Sequence, residues 1–261
     1  MDRTTAAGPA VPRSAAPDGT DGSDGLRGRT VVLIGGGSGI GLRVAHRVVA
    51  QGGRVVLGGR TAARLRTAAA GLGGAATWRT VDTGDSASLA AFFDGIERVD
   101  HLLTTAASYR VGPMRELSEE DAASPFASKF WGQYHAVRLA APKLARDGSV
   151  VLMSGAASVR PVGPAPAYVA CNAAIEGLGR GLAVELAPVR VNVVAPGTVD
   201  GHQWAGRPAA DREAAFAQYR RDALLRRPAT EEEIAQAVVF LFTNTFTTGS
   251  TLYTDGGYTL R

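Results

Sequence analysis

The chain has 261 residues, 45% of them hydrophobic, and a formal charge of +4 at pH 7, which suits one domain of ordinary size with a substantial core. Its basic residues are scattered, which argues against nucleic-acid binding, and no apolar run approaches the roughly 20 residues of a membrane span. The single cysteine, Cys171, excludes an internal disulfide and points to a reducing, cytoplasmic location.

Residues 1 to about 26 are rich in Ala, Pro, Gly, Asp and Thr and hold almost no large apolar side chain, so a disordered tail is expected there. Strand and helix patterns then alternate. A β-branched run at 30–34 leads into a helical pattern over 40–51, and a second strand at 54–57 into a helix over 61–71. A third strand at 76–81 precedes a helix over 86–97. A fourth at 100–104 precedes a helix from Ser118, which with Asp121 resembles a capping box, to about Ala145. Pro125 is expected to kink or interrupt that helix. A fifth strand at 149–153 precedes a long helix over roughly 166–187, and a sixth follows at 190–194. Gly201, Gly206 and Pro208 then point to a mobile loop. Thr230 with Glu233 caps a helix to about Phe242, and a strand at 250–254 closes the series. This alternation predicts one α/β domain over 27–261, a Rossmann-type doubly wound parallel sheet with helices on both faces. Ligands of such sheets lie beyond the carboxyl ends of the strands.

The first strand runs into Gly35, Gly37, Ser38, Gly39, Ile40 and Gly41. Glycines there permit positive φ and let the backbone approach a pyrophosphate, and the helix that follows offers unpaired N–H groups. A glycine cluster alone is weak; placed between first strand and first helix it marks a dinucleotide turn. Where an acid would hold the adenosine ribose, the second strand ends in Gly58, Gly59 and Arg60, with Arg64 a turn later. An arginine there can pair with a 2′-phosphate, so NADP(H) is favoured over NAD(H). The competing reading of Arg60 is a solvent-facing helix-start residue.

Residues 27–261 resemble the short-chain dehydrogenase/reductase family. The turn from Ile34 to Gly41 matches that family's TGxxxGIG, with Ile34 in place of Thr, and Asn192 to Gly197 matches its NxVxPG stretch near the nicotinamide. Thr254 to Gly257 matches its C-terminal signature, and Tyr168 falls at its catalytic tyrosine. The resemblance implies that Asp82 and Thr83 contact the adenine, and that Thr105, Ala106, Pro196, Gly197 and Thr198 lie near the cofactor. It further implies a substrate loop over about 198–226, a small-molecule substrate and a homodimer or homotetramer.

The resemblance also implies a tyrosine whose pKa, near 10 when free, is lowered by a lysine four residues on. A serine thirteen residues before it would position the substrate oxygen, and an asparagine on the preceding helix would complete a relay. Here Asn172 stands at the lysine position, Gly155 at the serine position with Ser154 adjacent, and Lys129 at the asparagine position. Lysine and asparagine thus have exchanged places, with Lys129 expected to face Asn172 beneath Tyr168; a surface lysine is the competing reading. Ser154 points to the other side of a regular strand unless a bulge turns it inward. His46, His101, His135 and His202 lack metal-ligand spacing, so no metal is expected. Three functions follow: an NADPH-dependent carbonyl reductase or alcohol dehydrogenase using Tyr168, a non-redox dehydratase, cyclase or isomerase on the same scaffold, and a non-catalytic NADP(H)-binding protein.

Overall fold

A computed structural model of the chain describes residues 25–261. Of the tail expected over 1–26, residues 1–24 lie outside the described residues. Leu26 does not belong to such a tail: it is fully buried in the same apolar cluster as Val48 and Phe242.

The elements in chain order are β1 (Thr30–Ile34), α1 (Gly39–Ala50), β2 (Arg54–Gly59), α2 (Ala62–Leu72), β3 (Ala76–Thr80), α3 (Ser86–Asp94), β4 (Val99–Thr104), α4 (Glu119–Pro125), α5 (Trp131–Ala140), β5 (Leu144–Met153), α6 (Pro166–Glu185), β6 (Arg190–Pro196), β7 (Val199–Asp200), α7 (Ala209–Asp222), β8 (Ala229–Thr230), α8 (Glu231–Thr243) and β9 (Thr251–Thr254). Seven strands form one parallel sheet in the order β3-β2-β1-β4-β5-β6-β9. β7 and β8 form a separate short parallel pair. The order reverses direction between β1 and β4, and the crevice that this leaves lies beyond the ends of those two strands.

The sheet is covered on both faces. In β1, Val31 and Leu33 pack with α1, α2 and α8 on one side, while Val32 and Ile34 pack with α3, α5 and α6 on the other. Both sides are dry, so β1 reads as a continuous apolar run instead of an alternation.

Two stretches depart from expectation. The helix from Ser118 is not continuous to Ala145: after Pro125 the backbone forms a π-helical turn over Phe126–Phe130, resumes as α5, and ends in a 3₁₀ turn over Ala141–Lys143 that contains Pro142. Pro125 and Pro142 lack the N–H that a regular helix needs, and β5 already begins at Leu144. The stretch expected as a mobile substrate loop holds the fourteen-residue α7. Its Phe216 and Tyr219 are buried, and the Tyr219 hydroxyl donates to the Asp255 carbonyl.

Candidate active site

The carboxyl ends of the strands open into one cleft of about 510 Å³. Gly35, Gly37, Ser38, Gly39, Ile40, Arg60, Asp82, Thr83, Thr105, Ala106, Pro196 and Gly197 all line it, whereas Gly41 and Thr198 do not. Gly41 has a packing role: a Cβ there would stand 2.3 Å from the Gly35 carbonyl oxygen, so only glycine lets α1 seat against the turn. Gly35 has φ +95°, and a Cβ on it would meet the Thr105 hydroxyl at 2.3 Å. The turn therefore lies directly on the end of β4, and the Gly35 N–H ties it to the Gly58 carbonyl at the end of β2.

At the end of β2, Arg60 and Arg64 both line the cleft, and neither has a carboxylate partner among the described residues. Arg64 Nη1 lies 3.3 Å from His202 Nε2. The backbone N–H of His202 donates to Glu231, which places His202 and Glu231 over the glycine turn. Asp82 is fixed at the rim by the Gly84 N–H, 2.9 Å from its Oδ1.

The polar groups at the other end of the cleft come from three elements. Tyr168 is the third residue of α6, Asn172 lies one turn on, and Lys129 sits in the π-helical turn. Lys129 is 6% exposed and Asn172 0%. Lys129 Nζ donates to Asn172 Oδ1 at 2.5 Å and to the Ser154 carbonyl at 2.9 Å. The same nitrogen lies 5.3 Å from the centre of the Tyr168 ring. Asn172 Nδ2 donates to the Tyr168 carbonyl at 2.9 Å, so the amide ties the ammonium to the tyrosine's own helix turn. The Lys129 ammonium lowers the Tyr168 pKa against the desolvation that would raise it. Lys129 and Asn172 thus meet beneath Tyr168, and Lys129 is not a surface residue.

Gln133, on α5 and 1% exposed, holds the end of β5 in register. Its amide accepts from Met153 N at 2.7 Å and donates to Met153 O at 3.1 Å. That clamp fixes the direction of the two residues that follow.

Ser154 turns its hydroxyl into the protein. Its Oγ lies 2.9 Å from the Asn172 carbonyl and 3.1 Å from Glu176 Oε1, on the side of the strand away from the Tyr168 hydroxyl. Strand alternation sets this direction, and Glu176, itself bonded by the Tyr253 hydroxyl at 2.8 Å, holds it. Gly155 faces the tyrosine instead: a Cβ there would be 3.4 Å from the Tyr168 hydroxyl.

Sequence reasoning missed one residue of the site. Tyr109, in the loop after β4, lines the cleft, and its hydroxyl lies 3.5 Å from that of Tyr168. The two rings are 5.1 Å apart and inclined at 30°. Burial and the neighbouring Tyr168 push the Tyr109 pKa well up. The only signal in the sequence was an aromatic residue five positions beyond a strand end in the cofactor crevice.

A family model described as enoyl-(acyl carrier protein) reductase matches residues 35–259. The chain is 33% identical over 256 residues to an uncharacterized short-chain type dehydrogenase/reductase, y4vI, of Sinorhizobium fredii, across 93% of this chain and 46% of that protein. It therefore spans about half the length of that relative. Among solved structures, MalC reductase/Diels-Alderase from Malbranchea aurantiaca superposes with a TM-score of 0.84 at 27% identity, covering 92% of this chain and 100% of MalC. An NADPH-bound short-chain oxidoreductase from Pseudomonas aeruginosa PAO1, described as containing an atypical catalytic center, gives 0.81 at 29% identity, covering 88% and 96%. Among the described residues no helix is long and apolar enough to cross a membrane. Matched sequence and matched fold run together over most of its length, and the chain belongs to the short-chain dehydrogenase/reductase family of oxidoreductases.

Proposed function

We propose that this chain is an NADPH-dependent reductase of a carbonyl on a small or medium-sized organic molecule, or in reverse a dehydrogenase of the matching alcohol. One observation carries the reading: a buried ammonium, Lys129, lies under the Tyr168 ring with two neutral oxygens and, among the described residues, no carboxylate for partners. Burying such a charge is costly, and the arrangement becomes intelligible if it serves to make a phenol acidic.

The residues present fit a dinucleotide phosphate. The glycine turn leaves backbone where side chains would otherwise stand, and Arg60 after β2 and Arg64 in the first turn of α2 offer guanidinium groups that have no carboxylate partner among the described residues. In this reading Gly35 to Ile40 hold the pyrophosphate and Arg60 and Arg64 the 2′-phosphate. Asp82 and Thr83 hold the adenine, and Thr105, Ala106, Pro196 and Gly197 flank the nicotinamide. When bound, the nicotinamide supplies the hydride that the carbonyl carbon accepts. Tyr168 gives its phenolic proton to the carbonyl oxygen, and the tyrosinate left behind is favoured by the Lys129 ammonium. Asn172 keeps that ammonium in place. The NADPH seen in the Pseudomonas aeruginosa relative agrees with this preference.

The test is incubation with NADPH and a panel of ketones and aldehydes. Loss of NADPH absorbance with a product two hydrogens heavier supports the reading; no oxidation across the panel overturns it. A second reading is non-redox chemistry, favoured by Gly155 at the serine position and by Ser154 facing away. It predicts a product of unchanged mass, or one differing by water, with Tyr168 still moving the proton.

A further inference from the structure

We propose that Tyr109 supplies the second hydroxyl of the site, donating to the same substrate oxygen as Tyr168 in the place left empty at Gly155. The inference rests on Tyr168 being the group that exchanges the proton.

Position 155 faces the phenol but brings no polar atom to it. Its backbone is extended, with φ −176°, so glycine is not required there for conformational reasons. Ser154 directs its hydroxyl to Asn172 and Glu176. The hydroxyl that does meet Tyr168 comes from Tyr109, at 3.5 Å. That separation is at the long limit of a hydrogen bond, so in the free protein Tyr109 donates only weakly to Tyr168. It suits two donors converging on one acceptor: with each O–H···O bond at about 2.7–2.8 Å, hydroxyls so placed subtend about 80° at a shared oxygen.

The two phenols differ in acidity for separate reasons. Lys129 lowers Tyr168, whereas burial raises Tyr109. Tyr109 therefore keeps its proton and serves as a fixed donor while Tyr168 titrates, a division of labour set by environment. Before substrate binds, the same Tyr109 O–H faces the Tyr168 oxygen, and with the Lys129 ammonium it favours the tyrosinate. Lys129 Nζ lies 6.0 Å from the centre of the Tyr109 ring, so one cation faces both rings.

The test uses three variants of the full chain: Tyr109→Phe, Gly155→Ser, and the two combined. A Cβ at residue 155 would make ordinary contacts of 3.4 Å, so the serine is sterically admissible. Without ligand, tyrosinate absorbance followed against pH reads the most acidic tyrosine. Tyr109→Phe is expected to raise that midpoint, because the tyrosinate loses a donor. With NADPH and a ketone that the parent reduces, Tyr109→Phe is expected to lower kcat about 100-fold, with a smaller change in KM. Adding Gly155→Ser is expected to recover about tenfold or more of that loss. An unmoved midpoint overturns the proposal, as does an unchanged kcat. A loss of kcat that Gly155→Ser leaves unrelieved overturns it too, since Tyr109 would then serve only to pack. If the parent reduces no carbonyl, the reductase reading fails by itself, and the midpoint in Tyr109→Phe alone decides whether the phenol pair stands.

Discussion

A lysine buried without a carboxylate is an expensive residue, and among the described residues Lys129 is met by a carbonyl, an amide oxygen and two aromatic rings. Because its charge lowers the Tyr168 pKa, Lys129→Met is expected to raise it. For alcohol oxidation the rate climbs with pH as Tyr168 loses its proton, so that limb should move to higher pH. At neutral pH kcat should fall about 100-fold. A pH–rate profile checks both, and an unmoved limb sinks the assignment. At the other end of the cleft, Arg60→Ser is expected to weaken NADPH binding by roughly ten- to a hundredfold, the value of one charge-assisted hydrogen bond. NADH binding should change little; fluorescence titration with both cofactors reads the difference. Asn172 was legible because it could be counted from Tyr168, and Lys129 because the helix segment from Ser128 to Gly132 could be matched to the family's asparagine position. Tyr109 was not, because it reaches Tyr168 from 59 residues away through a loop that carries no periodicity.

Elements were legible to the degree that burial shaped their composition. Strands β1 and β6 are buried along nearly their whole length, and β1 reads as an unbroken apolar run while β6 sets Val191, Val193 and Val194 around a buried Asn192. Helix α7 shows the opposite case. It buries only Phe216 and Tyr219, and its other residues are Ala and charged or polar groups without an apolar stripe, so nothing in its pattern separated it from a loop. The π-helical turn was signalled by Pro125 as an interruption but not as a particular geometry. Helix α8 was read correctly from its cap: the Thr230 hydroxyl accepts from Glu233 N at 3.2 Å, and the Glu233 carboxylate accepts from Thr230 N at 2.8 Å. Arg227 and the Thr230 N–H hold the Glu233 pKa down, to about 2. Thr230→Ala is expected to cost about 1 kcal/mol, seen as a drop of about 2–4 °C in Tm for a domain of this size.

At the scale of the whole molecule, the amino ends of the central strands are closed by a buried His101. Its Nδ1 lies 2.8 Å from the Ser149 hydroxyl, and its ring stacks on Phe242 at 5.0 Å. Burial, then the nearby Arg190 guanidinium, lowers its pKa from 6.5 to about 4. The unfolded chain therefore takes up a proton that the folded one refuses. Stability should fall as pH drops from about 6.5 to about 4, by about 3 kcal/mol in all, and this contribution should fall no further below that. Melting curves across that window check the slope, and His101→Gln should flatten it.

The bond between Lys129 and Asn172 ties together two segments that are 43 residues apart in the chain. Lys129→Asn alone leaves the phenol without a cation, while Asn172→Lys alone forces two ammonium groups into one buried space. Only the two changes together return a single ammonium and a single amide. The double variant should therefore outperform either single one by more than about tenfold, a coupling of roughly 1.4 kcal/mol or more. That outcome would be sign epistasis, in which each step is harmful until the other has been taken, and it would bar passage between the two arrangements one substitution at a time.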